Sequence, residues 1–119
     1  MNERIKEKWL KALRSGKYKQ GKGELREGGK FCCLGVLCDL YTKEKNVPWN
    51  SLVNLSKLLP LKVQRWAGLK EMDPSVPLGS HGWKITLSVL NDGAADDGVK
   101  DDEVRKDFKG IANLIEEYL

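Results

Sequence analysis

Histidine is nearly missing from this chain of 119 residues, which carries one, His81. A Ser–His–Asp or Cys–His arrangement would have to be built on that single imidazole, so no complete catalytic set can be assembled. Long apolar runs are missing as well. None approaches the ~20 residues that span a bilayer, so no membrane partner is expected. The stretch from Asn2 to Arg14 is charged and amphipathic and has no apolar core of the secretory type. Paired, spaced cysteines are also lacking: Cys32 and Cys33 are adjacent and Cys38 follows alone. That spacing does not suit a zinc cage, which uses two Cys-x₂-Cys-like pairs, and the odd thiol count suits a reducing cytosol. Neither Gly-x-x-x-x-Gly-Lys-Ser/Thr nor Gly-x-Gly-x-x-Gly is present. An EF-hand loop begun at Asp92 fails at its third position, Ala94, and at its sixth, Asp97. No metal and no cofactor is expected, and no internal repeat or second domain is visible.

What is present reads as one small α+β domain over residues 1–119, with an N-terminal helix, a short antiparallel hairpin, a central helix and a C-terminal amphipathic helix. The chain is 40% hydrophobic and 32% charged, with four Trp, enough for a modest core under a well-solvated surface. Asn2 can cap a first helix whose Ile5, Trp9, Ala12 and Leu13 share a face, and Ser15-Gly16 stops it. Lys17 to Gly23 reads as a basic, Gly-rich loop. Glu24-Leu25-Arg26 and Lys30-Phe31-Cys32 flank a glycine turn. A second helix from about Cys33 would bury one stripe of Leu34, Leu37, Cys38 and Tyr41. Pro60 at a first helical position opens a short helix through Trp66, closed by Gly68. Met72 to Gly82, with two prolines and two glycines, reads as loop, and Trp83 to Leu90 as strand or short helix before Asn91-Asp92-Gly93. From about Asp101, Val104, Phe108, Ile111, Ala112, Ile115 and Leu119 mark the last helix.

Charge is unevenly spread. Residues 1–30 hold seven Lys and three Arg against four Glu, whereas residues 91–119 hold nine acidic and four basic side chains. The two ends can attract each other within one chain, or between chains to give a homo-oligomer. The basic end also offers an anion site. Gly16, Gly21 and Gly23 alternate with Lys17, Lys19 and Lys22, and backbone amides beside ammonium groups hold phosphates. Tyr18 could stack on a ring, Gln20 could read a polar edge, Arg26 adds charge, and Asn91 and Asp92 could meet hydroxyls or amines. The candidate ligand-binding set is therefore Lys17, Tyr18, Lys19, Gln20, Lys22, Arg26, Asn91 and Asp92, for a small anionic, nucleotide-like molecule. Duplex nucleic acid is not expected, because no groove-reading motif stands out and the acidic C-terminal third repels phosphate. The competing chemistry is a nucleophilic Cys32 or Cys33 near a helix start with His81, oriented by Asp92 or Asp73. A buried structural thiol is the commoner state of such residues. A third option is a protein–protein interface anchored on Trp49, Trp66 or Trp83.

The pattern Trp9-x-x-Ala12-Leu13-x-Ser15-Gly16-x-Tyr18-x-Gln20, followed by Phe31-Cys32-Cys33-Leu34-Gly35-Val36-Leu37-Cys38-Asp39-Leu40, resembles a group of small proteins encoded by phages and prophages. The likeness continues through Leu59-Pro60, Trp66-Ala67-Gly68-Leu69 and Leu90-Asn91-Asp92 to Phe108-x-x-Ile111-Ala112. The run Ala94 to Lys106 is longer and more acidic than that pattern suggests. The resemblance implies an accessory protein of the host bacterial cytosol, of the kind that blunts host defence by sequestering a nucleotide-derived signal or by blocking a defence protein. It brings no catalytic residues. A small phosphodiesterase or cysteine hydrolase is the remaining, less favoured class.

Overall fold

Helix α1, Glu3–Arg14, forms where the sequence places a cap, a favourable acidic first turn and a repeating apolar face. Asn2 Oδ1 accepts from the Ile5 N–H at 3.0 Å, and Ile5, Trp9, Leu10 and Leu13 are buried. The computed structural model describes residues 1–52, 58–78, 83–93 and 105–119. Beyond α1 the chain lays down three two-residue strands, β1 (Lys19–Gln20), β2 (Arg26–Glu27) and β3 (Lys30–Phe31). The expected hairpin is β2–β3, turned by Gly28 and Gly29 at φ 58° and 80°, a left-handed pair that glycine adopts without strain. The basic loop does more than connect, because its Lys19-Gln20 pairs parallel with β3 and completes the order β1-β3-β2.

Helix α2, Cys33–Lys45, starts at the end of β3, with Cys32 as its cap and the Cys32 Sγ accepting from the Gly35 N–H at 3.3 Å. Instead of one apolar stripe, every residue from Cys33 to Asp39 is buried. α1, β3 and two further helices, α3 (Leu61–Ala67) and α4 (Leu87–Asp92), surround it. Its middle is therefore the centre of the core. Gly35 makes that possible: a Cβ there would lie 1.7 Å from the Leu25 carbonyl oxygen. Trp9, fully buried, donates its Nε1–H to the Cys33 carbonyl at 3.0 Å, so the largest core side chain leaves no orphan donor.

A single 3₁₀ turn covers Trp49–Leu52. Pro60 is the residue before α3, not its first helical residue, and Gly68 ends the helix at φ 71°. Part of the segment read as loop is a hairpin. β4 (Ser75–Leu78) pairs antiparallel with β5 (Trp83–Thr86), and the residues between them lie outside the described set. Pro77 is tolerated because both strands of a two-stranded ribbon are edges. α4 follows β5 directly, so Trp83 to Leu90 is strand and then helix. Helix α5, Phe108–Tyr118, begins later than expected. Asp107 is its cap, accepting from the Gly110 N–H at 2.8 Å, and residues 105–107 are not helical. α5 packs against α1 and α4. Among the described residues no helix is long and apolar enough to cross a membrane.

Candidate functional site

The organising residue at the basic end is Asn91, the penultimate residue of α4, which is fully buried. Its Oδ1 accepts from Gln20 Nε2 at 3.0 Å and from the Cys33 N–H at 3.1 Å. Its Nδ2 donates to the Gly21 carbonyl at 2.7 Å and to Asp92 Oδ1 at 2.8 Å. Gln20 Nε2 also donates to the Lys106 carbonyl at 2.9 Å, and Arg105 Nε to the Asn91 carbonyl at 3.1 Å. The Asn91 amide thus ties β1, the start of α2 and α4 together, and the Gln20 amide and the Asn91 carbonyl add the approach to α5. Over this knot opens a cleft of about 430 Å³. Gln20 and Gly21 form its base, Lys22, Lys30 and Arg105 supply positive charge, and Glu24 and Glu27 supply negative charge. Gly21 permits the narrow base, since a Cβ there would lie 2.8 Å from that of Lys30. Among the described residues that line the cleft none is aromatic. The cleft can hold a polar anion by charge-assisted hydrogen bonds and present two carboxylates to hydroxyls or amines.

A second cluster centres on Asp39 of α2. Its carboxylate accepts from Trp49 Nε1 at 2.9 Å and from the Tyr18 hydroxyl, and it pairs with Lys43 at 3.0 Å. Burial alone would raise the Asp39 pKa, but those three hydrogen bonds together outweigh it and hold the carboxyl below its ordinary value. Burial, reinforced by the hydrogen bond to Asp39, raises the Tyr18 phenol above its ordinary value. Tyr18 meets Phe31 edge-on at 5.0 Å, Phe31 meets Trp49 at 6.2 Å, and Arg26 lies 4.8 Å from the Trp49 ring centre. Beside this row, Tyr18, Ala12 and Leu40 help form a shallow recess of about 270 Å³ between α1 and α2, rimmed by Lys8, Lys11 and Lys17.

The cysteines offer no nucleophile. All three are free and buried, and burial pushes the Cys32 thiol up to about 11 and raises those of Cys33 and Cys38 well above the ordinary thiol value. His81 lies outside the described residues. Asp73, one of its conceivable orienters, is bonded to the Ser88 hydroxyl and to the Ser88 N–H at the start of α4. Among the described residues no group of three or more His, Cys, Asp and Glu side chains could hold a metal. Of the three tryptophans weighed as interface anchors, Trp49 and Trp66 are partly buried, and Trp66 Nε1 donates to Glu44 at 2.6 Å. Trp83, on β5, is 77% exposed.

The sequence-derived set is thus divided. Gln20 and Lys22 meet in the cleft, and Lys17 and Tyr18 meet in the recess. Arg26 lies over Trp49, Lys19 is exposed on β1 and lines neither pocket, Asn91 is inside, and Asp92 is bonded to it. Sequence reasoning missed Lys30, Glu24, Glu27 and Arg105. The Glu27-Gly28-Gly29-Lys30 turn could have signalled Glu27 and Lys30, because a two-residue hairpin sets its flanking side chains opposite one another. Nothing local signals Arg105, which precedes α5 yet donates to the Asn91 carbonyl on α4 and lines the cleft with Gln20.

This is a small α+β domain with a cleft of mixed charge at the seam between its first sheet and α4. The chain belongs to the family described as a domain of unknown function (DUF8296), which matches it over residues 1–119. No curated protein and no solved structure matches it.

Proposed function

We propose that this protein is a non-enzymatic binding protein that sequesters a small anionic, nucleotide-derived molecule in the cleft of Lys22, Lys30 and Arg105. The observation that carries this reading is the convergence of three cations on one cleft of about 430 Å³, within the range of ordinary small-ligand sites. Phosphate oxygens would meet the cations, and ribose hydroxyls or exocyclic amines would meet Glu24 and Glu27. The buried, protonated thiols favour binding over covalent chemistry. The resemblance to phage-encoded accessory proteins makes a host signalling nucleotide the class to test, with the protein acting as a counter-defence factor in the bacterial cytosol.

The experiment is to incubate the protein with a panel of signalling nucleotides, remove unbound ligand, denature by heat and analyse the supernatant. Intact nucleotide should be released, and Lys30→Glu and Arg105→Ala should each reduce retention by about tenfold or more, the worth of one charge-assisted hydrogen bond. Altered nucleotide would instead indicate an enzyme. If nothing is retained or altered, a protein target takes precedence. The 77% exposure of Trp83 favours that second reading, because a large exposed indole is a common interface anchor.

A further inference from the structure

Helix α1 turns Ile5, Trp9 and Leu13 into the core and leaves Ala12 beside them only partly buried. Ala12, Leu40 of α2 and Tyr18 line the recess of about 270 Å³ between the two helices. The Tyr18 hydroxyl is bonded to Asp39 and to Lys43, so Tyr18 brings ring carbon to the recess and no free polar atom. A built turn returns the chain to this spot. Gly16 is left-handed at φ 76°. Ser15 Oγ donates to the Ala12 carbonyl at 2.7 Å and accepts from the Lys17 N–H at 3.1 Å. The backbone of Lys17 is thereby held beside the end of α1. Charge on the rim has one sign. Lys8 is committed to Glu44 at 3.1 Å, a carboxylate that Arg4 and Trp66 also bind. Lys11 and Lys17 are exposed, and among the described residues neither ammonium group has an ion pair or a hydrogen bond. Among the described residues that line the recess none is acidic.

We propose that this recess docks an acidic peptide segment of a partner protein, with one apolar side chain entering between Ala12 and Leu40 and flanking carboxylates meeting Lys11 and Lys17. Two kinds of complementarity select that occupant. The apolar lining gains when an aliphatic side chain leaves water for it, and the two unpaired ammonium groups gain charge-assisted hydrogen bonds from carboxylates. An uncharged apolar segment would leave the lysines unmet, and a purely phosphate ligand would leave the apolar lining wet. The recess is also shallow and open, which suits one side chain of a segment running on along the surface. A small molecule is more often enclosed on most sides. Ala12 sets the depth, because its single methyl group leaves the space between the helices. The recess and the cleft share no residue, so either reading can fail without the other.

The probe is a short peptide of aspartate and glutamate with one central leucine, titrated at low salt into the isotope-labelled full chain and followed by amide NMR. The signals of Ala12, Lys17, Tyr18 and Leu40 should move together and saturate with a Kd of about 1 mM or tighter. Those of Gly21 and Lys30 in the cleft should stay in place. Replacing the leucine of the peptide by serine should weaken binding about tenfold or more. Lys11→Glu and Lys17→Glu should each weaken it roughly threefold or more. Ala12→Leu, which keeps a good helix former and fills the recess, should abolish it. If Ala12→Leu fails to fold, the two exposed lysine variants carry the test. Three results would overturn the proposal: no saturable shift at low salt, equal binding of the serine peptide or of oligo(dT), or lysine variants that bind like the parent.

Discussion

Asn91 shows how a polar residue can be a candidate for a ligand in the sequence and yet be unavailable to one in the fold. Both ends of its amide are used inside the protein, on Gln20, Cys33, Gly21 and Asp92, and no part of it is exposed. Asn91→Ala would strand the Cys33 N–H and the Gly21 carbonyl at the edge of the core. It should lower stability by about 2–4 kcal/mol, since each buried group left unpaired costs roughly 1–3 kcal/mol. Asn91→Asp should fall between Ala and the parent, because it restores the acceptor but not the donors and faces Asp92. Urea midpoints order the three, and equal midpoints for Ala and parent would remove Asn91 from its place as the knot. Gln20 teaches the same lesson. An amide beside glycines looks alike in sequence whether it meets a ligand or a carbonyl, and only the partner 71 or 86 residues away distinguishes the two.

At the scale of elements, α2 brings Asp39 and Lys43 together by ordinary i,i+4 geometry, and the basic loop and the 3₁₀ turn then deliver Tyr18 and Trp49 to that carboxylate. The folded pKa of Asp39 lies below its unfolded value of about 3.9, so its contribution is fully present above that pH and is lost as pH falls through the folded value. Glu44, held down by hydrogen bonds from Arg4, Trp66 and Lys8, acts in the same direction. The urea midpoint should therefore fall as pH drops below about 4, and Asp39→Asn should start lower at pH 7 and decline less. A parallel decline in the variant would refute the assignment. α1, α2 and the β2–β3 hairpin were legible because caps, glycine turns and apolar spacing act within a few residues. β1 was not, since two residues carry no periodicity and its parallel pairing comes from β3. The β4–β5 hairpin was hidden by Pro74 and Pro77, which read as loop unless the strands are known to be edges.

For the whole molecule, the basic N-terminal and acidic C-terminal ends meet within one chain, where Arg14 pairs with Glu116 at 3.1 Å and Lys6 Nζ donates to the Glu116 carbonyl at 3.1 Å. These contacts are exposed and contribute little. What fastens α5 to α1 is apolar: Ile111, Ala112 and Ile115 are fully buried. Ile111→Ala should cost about 2–5 kcal/mol, whereas Glu116→Gln should change stability by less than about 1 kcal/mol. Chemical denaturation separates the two, and equal losses would make the ion pair, not the packing, the fastening.

The sequence by itself determined that the chain is a small α+β domain, where α1, α2, α3 and the first hairpin lie, that α5 is apolar on one face, and that the positive charge sits at the N-terminal end. Each of these follows from patterns a few residues long. Tertiary structure alone decided that α2 is buried on all sides, that the candidate residues divide between a cleft and an aromatic face, and that Arg105 joins Lys22 and Lys30. The reason is physical. A side chain's neighbours across a fold are set by how helices and strands pack, and packing depends on every apolar face at once rather than on the spacing within any one of them.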